Sequence, residues 1–579
     1  MSRRIQLLTL YPGAPSDQLQ GELKAVDIDG CNKYEAISYV WGETSGTEVI
    51  VCNGASVHIT HSLHRALARM RRADAPRVLW ADQICIDQDN NEEKSTQISL
   101  MDIIYRNARR VLVWLGEDEE RIAIKAFTLI TTLEKIFSDE KQRLEFDRRH
   151  SDGVHSLGIS KYAWSSLRAL TVLPWFTRAW VIQEIGTKAP AILFWGNTHI
   201  EWELLHSVCK TLTNYHHLRG HLDIKTAHIK YMYRRFIEPD RTTRHANRFS
   251  FFYELHRARH LKATDPRDRV FAMLGHYSIR NSENQHLRDL RSDYTKTVEQ
   301  VYTDVTTRGL VGDSTLTTLA SVQHRYLPSS SDFTAPGHIS IPSWVPDWRE
   351  YRSHILSEPT SPHRASRDLR PCLRVDMSNT LWIEGILVDT IAVCAEPFRP
   401  REFQVDRDSI SKIWHDACGQ SEFDMSVSYL STSCKHGTKE GDHDRSAVFA
   451  LLQTLSNACV AIAWQDQQPY ESISKQQWLA HGAAYLASAV RDLPVSNEML
   501  KLAEEGDTGK WTRAANGASS NRTFATTSSG YYVLGPGIIE PGDVVCVLKG
   551  GRCLFVCGHG AANICLLANV MYTGLCMER

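Results

Sequence analysis

The chain has 579 residues, 42% hydrophobic and 23% charged, with 66 Lys and Arg against 67 Asp and Glu. Such a composition suits a soluble globular protein of two or three domains, and a net charge of −1 excludes a general electrostatic pull toward nucleic acid or anionic membranes. No apolar run approaches the roughly 18 residues of a membrane span, and the opening "MSRRIQLLTLYPG" is too short and polar for a secretion signal. A cytoplasmic protein is therefore expected, with its fourteen scattered cysteines as reduced thiols.

Residues 1–33 read as a lead-in. From 34 to 200 strand-like and helix-like segments alternate. "YEAISYVW" (34–41) and "EVIVCNG" (48–54) are short and β-rich, "HSLHRALARMRR" follows as a helix capped by Thr60 or Ser62, and "RVLWADQICI" (77–86) is a nearly continuous apolar strand. Ile98, Met101, Tyr105 and Ala108 then fall three and four apart, the spacing of one helix face. "RVLVWLG" (110–116) and "AILFWGN" (190–196) are further strands. Buried strands alternating with helices predict an α/β domain with a parallel sheet covered on both faces.

Residues 201–325 read as mostly helical. They hold a basic, aromatic-dotted stretch, Arg219 to Arg259, with ten Lys and Arg against four Asp and Glu. An arginine-rich solvated face with core aromatics (Tyr231, Tyr233, Phe236) accounts for it better than nucleic-acid stacking, because no RNA-binding motif accompanies it. Linker-like composition marks 326–370, with "LPSSSDFTAPG" (327–337) and "SEPTSPHRASR" (357–367), and recurs at "GDTGKWTRAANGASSNR" (506–522). Residues 371–579 carry strands with helical patches near 445–463 and 476–492, a mixed α+β region.

The chain lacks a Walker loop, a Gly-x-Gly-x-x-Gly turn, a Gly-x-Ser-x-Gly elbow and a His-Glu-x-x-His pair. What remains is the stretch "WFTRAWVIQEIG" (175–186), whose one acid, Glu184, sits in a run built for burial. A buried carboxylate is paired, hydrogen-bonded or functional. Arg178, six residues away, is a candidate partner. Asp82 and Asp87 lie near the C-terminal end of the 77–86 strand, where they can hold a ribose or a cation, cap the helix that begins near Glu93, or fix the turn. Cys85 has no histidine near it and reads as packing.

The segments "YEAISYVWG" (34–42), "LWADQICIDQDNNEEKSTQISLMDIIYRNARRVLVWLG" (79–116) and "LPWFTRAWVIQE" (173–184) together resemble the heterokaryon incompatibility (HET) domain of filamentous fungi, whose pattern runs Tyr-x-Ala-x-Ser-Tyr-x-Trp-Gly, Trp-x-Asp-x-x-Cys-Ile-x-Gln, Met-x-x-Ile-Tyr, Trp-Leu-Gly and Arg-x-Trp-x-x-Gln-Glu. Asp87 departs from it, standing where the family commonly has Asn. Later segments, "KATDPRDRVFAMLG" (262–275), "DYTKTVEQVYTDV" (293–305) and "IPSWVPDW" (341–348), also resemble the region downstream of this domain in many members.

The resemblance implies a role in fungal non-self recognition and programmed cell death. HET domains are likened to TIR domains, so it also implies a flavodoxin-like sheet and NAD⁺ as substrate, with no cofactor and no metal. Trp180 and Glu184 have the spacing of the TIR Trp-to-catalytic-Glu segment, which implies Glu184 as the catalytic carboxylate, with Tyr39, Trp41, Asp82, Asp87, Arg178 and Trp180 around the substrate. One helical turn between Trp180 and Glu184 would put them on one face. Self-association through the HET domain and an incompatibility or regulatory protein partner are expected. A non-enzymatic signalling module and a regulatory role outside incompatibility stand as alternatives.

Overall fold

The computed structural model describes residues 3–30, 33–42, 47–151, 157–240, 246–280, 282–312, 316–324, 341–349, 356, 363–398, 407–427, 429, 446–457, 474–489, 494–558 and 565–572. Two compact units emerge: one of residues 1–238, 260–277 and 291–296, the other of 239–259, 278–290 and 297–579.

The first unit is built on a nine-stranded sheet: β1 (Arg4–Leu10), β2 (Gln20–Asp27), β3 (Glu35–Tyr39), β4 (Thr47–Cys52), β5 (Ala55–Thr60), β6 (Arg77–Trp80), β7 (Val111–Trp114), β8 (Ala191–Trp195) and β9 (Thr198–Glu201). Their order is β5-β4-β2-β1-β6-β3-β7-β8-β9. The inner four, β6, β3, β7 and β8, are parallel. Every residue of β3 and β7 is buried, as befits central strands whose both faces are covered. Taken by themselves, these four run second, first, third, fourth, the flavodoxin-like order, in which ligands lie beyond the strands' carboxyl ends at the switch point.

The α/β class is as expected, but the sheet is mixed rather than parallel. The lead-in supplies two strands: β1 lies antiparallel against β6, with Leu8 opposite Leu79, and β2 lies antiparallel on β1. The seven-residue "RIQLLTL" run is long enough for a buried strand. The outer pairs β4–β5 and β8–β9 are also antiparallel.

Among the described residues, eight helices accompany this sheet up to residue 185: α1 (His61–Met70), α2 (Asp82–Cys85), α3 (Asn91–Ile98), α4 (Met101–Asn107), α5 (Ala123–Ser138), α6 (Glu140–Ser151), α7 (Lys161–Thr171) and α8 (Val181–Ile185). Thr60 caps α1, its hydroxyl accepting from Leu63 N, and Leu63, Ala66, Leu67 and Met70 form the buried stripe. Asn90, rather than Asp82 or Asp87, caps α3 by accepting from the amides of Glu92 and Glu93. The single helix expected through Ala108 breaks at Ser99 and Leu100, so its apolar face belongs to two short helices.

At the amino ends of the central strands, Glu35 is clamped by Arg77 (Nε to Oε2, 2.5 Å) and Arg110 (3.2 Å). Burial pushes the Glu35 carboxyl up, but the hydrogen bonds and charge of Arg77, with the charges of Arg110 and Arg72, bring it below its ordinary value.

In the second unit, β10 (Leu373–Val375) and β11 (Leu381–Ile383) form a hairpin. The strands β12 (Gly385–Cys394), β13 (Arg522–Thr527), β14 (Tyr532–Pro536), β15 (Val544–Leu548), β16 (Leu554–Gly558) and β17 (Cys565–Tyr572) close into a barrel, in the order β12-β13-β14-β17-β16-β15. Its helices include Ala447–Leu455, Lys475–Ala489 and Thr508–Ser519.

The linker-like stretch 506–522 is thus mostly helix. Asp507 caps it, accepting from the amides of Gly509 and Lys510, Trp511 is fully buried, and Ala514, Ala515 and Ala518 join the core. Its small residues allow close packing instead of marking a flexible segment. The stretch 327–337 lies outside the described residues, as does most of 357–367. In the basic stretch Tyr231 is buried, Tyr233 stacks on His206 with centroids 3.6 Å apart, and Phe236 meets His276 edge to face, so these rings are packed within the fold.

Candidate functional site

The motif segments interlock before they make a site. Tyr34 donates to the Ile104 carbonyl at 2.5 Å and Tyr105 to the Ile37 carbonyl at 2.9 Å, tying β3 to α4 from both sides. Tyr105 also meets Trp80 edge to face at 5.4 Å, which fixes the end of β6 against the same helix. Gly42 follows the motif's Trp41 with φ of 72°, a left-handed turn that glycine adopts without penalty.

Above this frame lies Glu184, 2% exposed. The segment 173–180 carries it in: a single 3-10 turn, Pro174–Thr177, leads to the short α8, which places Glu184 over β3. Ser38 donates its hydroxyl to Glu184 Oε2. The Ser38 oxygen in turn accepts from the Trp175 indole at 2.8 Å, which leaves the hydroxyl hydrogen free for the acid. Ser38 stands opposite Val113 in the β3–β7 pairing, next to the switch point.

Arg178 completes the surround, its Nη1 3.9 Å from Glu184 Oε1. Its hydrogen bond goes to the Tyr39 carbonyl instead, so Glu184 feels the charge without receiving a proton from it. Burial, against the pull of Arg178 and Ser38 and with a smaller push from Asp82, raises the Glu184 carboxyl to about 7. A carboxyl with that affinity exchanges its proton near neutral pH and can serve as acid or base there.

Asp82, partly buried at the start of α2, accepts from the Trp41 indole at 2.8 Å through Oδ2 and from Gln83 N at 2.8 Å through Oδ1. Gln88 Nε2 bonds the Asp82 carbonyl, and Gln83 holds Thr60, so the loop after β6 is tied at both ends. Burial, then the charge of Asp82, makes the Tyr39 phenol harder to ionise, holding it well above its ordinary value, although its buried hydroxyl makes no hydrogen bond of good geometry. Burial also pushes the Cys85 thiol up to about 12, which suits packing rather than nucleophilic work.

The candidate residues therefore divide. Tyr39, Asp82, Arg178 and Glu184 converge on the carboxyl ends of β3 and β6, and Trp41 joins them through Asp82. Asp87 does not: it is exposed, and its carboxylate accepts from Asp89 N in a local turn. The Trp180 indole turns to a different carboxylate, donating to Asp268 Oδ2 at 3.0 Å. Ser38, Trp175 and Asp268 were not singled out from sequence. Ser38 has a visible signal, a hydroxyl between Ile37 and Tyr39 in a strand-like run; Asp268, 84 positions from Glu184, has none.

Comparison with known proteins agrees with the motif reading. Residues 34–184 match the family model described as "Heterokaryon incompatibility protein (HET)". Across 95% of its own length the chain is 25% identical to heterokaryon incompatibility protein 6, OR allele, of Neurospora crassa, covering 89% of that protein. No solved structure matches the chain. No group of three or more His, Cys, Asp or Glu among the described residues could hold a metal ion, and no helix of the described residues is long and apolar enough to cross a membrane. Residues 34–184 thus match a heterokaryon incompatibility domain, and the chain as a whole is similar to a heterokaryon incompatibility protein.

Proposed function

We propose that this chain acts in fungal heterokaryon incompatibility and that the output of its α/β unit is hydrolysis of NAD⁺, with Glu184 as the reacting carboxylate. In that reaction the bond between ribose C1′ and the nicotinamide nitrogen breaks with its electron pair leaving on nicotinamide. Water then bonds to C1′ and loses a proton, giving nicotinamide, ADP-ribose and H⁺. The transition state is oxocarbenium-like, and an ionised carboxylate beside C1′ stabilises it. The observation that carries the reading is the position of an acid with an affinity near 7 at the switch point of a flavodoxin-like sheet, where such sheets bind ligands. In this reading Asp82, oriented by Trp41 and Gln83, is the acceptor for ribose hydroxyls.

One observation favours the non-enzymatic alternative. Glu184 is 2% exposed and already satisfied by Ser38, so a substrate must displace part of this cover, whereas a self-associating module needs only a firm core. Controlled expression of the full chain in a compatible fungal host separates the two. Death that follows wild type and is lost in a stably expressed Glu184→Gln supports the enzyme; death undiminished by Glu184→Gln contradicts it.

A further inference from the structure

Helix α8 spans Val181–Ile185, little more than one turn. A helix that short has no stability of its own, so tertiary anchors decide where it lies. Alongside its packing on α4 and the bond from Ser38, it has hydrogen-bond anchors from outside the matched residues 34–184. Ala179 N donates to the Lys262 carbonyl at 2.8 Å, and Lys262 N to the Thr177 carbonyl at 2.5 Å, a strand-like bridge just ahead of the helix. Gln183 Nε2 reaches the Ala272 carbonyl at 2.8 Å. Between these two points the Trp180 indole donates to Asp268.

Asp268 is itself held from the far side. The Tyr294 hydroxyl donates to its Oδ1 at 2.6 Å, so indole and phenol occupy one oxygen each. The neighbouring cations are engaged elsewhere. Arg267 forms a two-pronged pair with Asp265, donates to the carbonyls of Tyr294 and Lys296, and lies 5.1 Å from the centre of the Tyr294 ring. Lys94 lies over the same ring at 5.0 Å. Asp268 thus keeps two neutral, directional donors, a geometry suited to placing an indole.

We propose that Asp268 is a positioning residue for α8: through Trp180 it sets where the turn bearing Glu184 sits, and Tyr294, held by Arg267, sets Asp268. The functional domain therefore extends beyond residue 184 to include 260–277 and 291–296. The consequence for catalysis rests on the reading of Glu184 as the reacting group; the positioning itself does not.

The test uses the full chain and hydrogen exchange resolved by segment, with Asp268→Ala, Asp268→Asn, Trp180→Phe and the Asp268→Ala/Trp180→Phe double variant. Loss of the anchoring bond speeds exchange at 181–186 about tenfold in Asp268→Ala and in Trp180→Phe. The double variant is no faster than either single one, and Asp268→Asn, whose amide oxygen still accepts from the indole, restores most of the protection. Where NAD⁺ cleavage is seen, Asp268→Ala lowers kcat by up to about 100-fold with KM little changed, the cost of misplacing a reacting group. Unchanged exchange at 181–186 in Trp180→Phe or in folded Asp268→Ala overturns the proposal, as does acceleration spread evenly over the first unit. A wild-type chain that cleaves no NAD⁺ but shows the local exchange pattern leaves the positioning intact and removes only the catalytic reading.

Discussion

Ser38 and Glu184, 146 residues apart in the chain, share a buried hydrogen bond in which the serine hydroxyl donates and the carboxyl accepts. The direction of that bond is set by Trp175, whose indole occupies the serine oxygen. Two motif segments, 34–42 and 173–184, therefore meet at one proton, and substitutions there have calculable consequences.

Ser38→Ala removes the donor to Glu184 and leaves the Trp175 indole without its acceptor. The expected cost is about 1–3 kcal/mol in urea unfolding near pH 8, where Glu184 is mostly ionised in the wild type. The Glu184 carboxyl moves further up, because a lowering influence has gone. An unchanged unfolding midpoint contradicts this arrangement.

Glu184→Gln has a pH-dependent effect of fixed sign. The folded carboxyl titrates at about 7 against an ordinary 4.5, so between those values the folded state holds a proton that the unfolded state has released. Wild-type stability from this group is full below about pH 4.5 and is lost as pH rises through 7. Glutamine has no such loss. Relative to wild type, Glu184→Gln gains up to about 3 kcal/mol between pH 4.5 and 8, measured by paired unfolding curves. A constant difference across that range shows that the acid is not raised.

Glu35 has the opposite sign. Its carboxyl is lowered in the fold, so its stabilisation is present above the unfolded value and is lost as pH falls through the folded one. Glu35→Gln leaves the largely buried Arg77 guanidinium without its counter-charge, at a cost of about 3–5 kcal/mol near neutral pH, again by urea unfolding. The deficit shrinks in acid.

Gly275 lies so close to α4 that an added Cβ would fall 2.4 Å from the Asp102 Cβ. Gly275→Ala must displace that helix or its own segment, costing about 1–3 kcal/mol. Wild-type stability in Gly275→Ala contradicts the packing of 260–277 against the sheet's helices.

Much of the first unit is legible in the sequence because burial writes itself into residue spacing. The fully buried β7 is an uninterrupted apolar run, and Thr60 ahead of a 3–4 stripe announces α1. A wholly parallel sheet is an over-reading because β1 carries the same buried pattern whichever way its neighbour runs. The helix at 508–519 is hidden by small residues, whose close approach is a property of the partner surface and not of the stretch itself. At the site, Arg178 beside Glu184 follows from spacing, yet Ser38 and Asp268 arrive by tertiary contact, which no local periodicity encodes.

The most direct measurement is nicotinamide release from NAD⁺ by the purified full chain, concentrated to favour assembly, beside folded Glu184→Gln and Asp82→Asn. The account predicts release by wild type, none by Glu184→Gln and weakened substrate binding in Asp82→Asn. Equal release by wild type and Glu184→Gln, or none from a wild-type chain that demonstrably assembles, contradicts it and returns Glu184 to a structural role beneath Ser38 and Arg178.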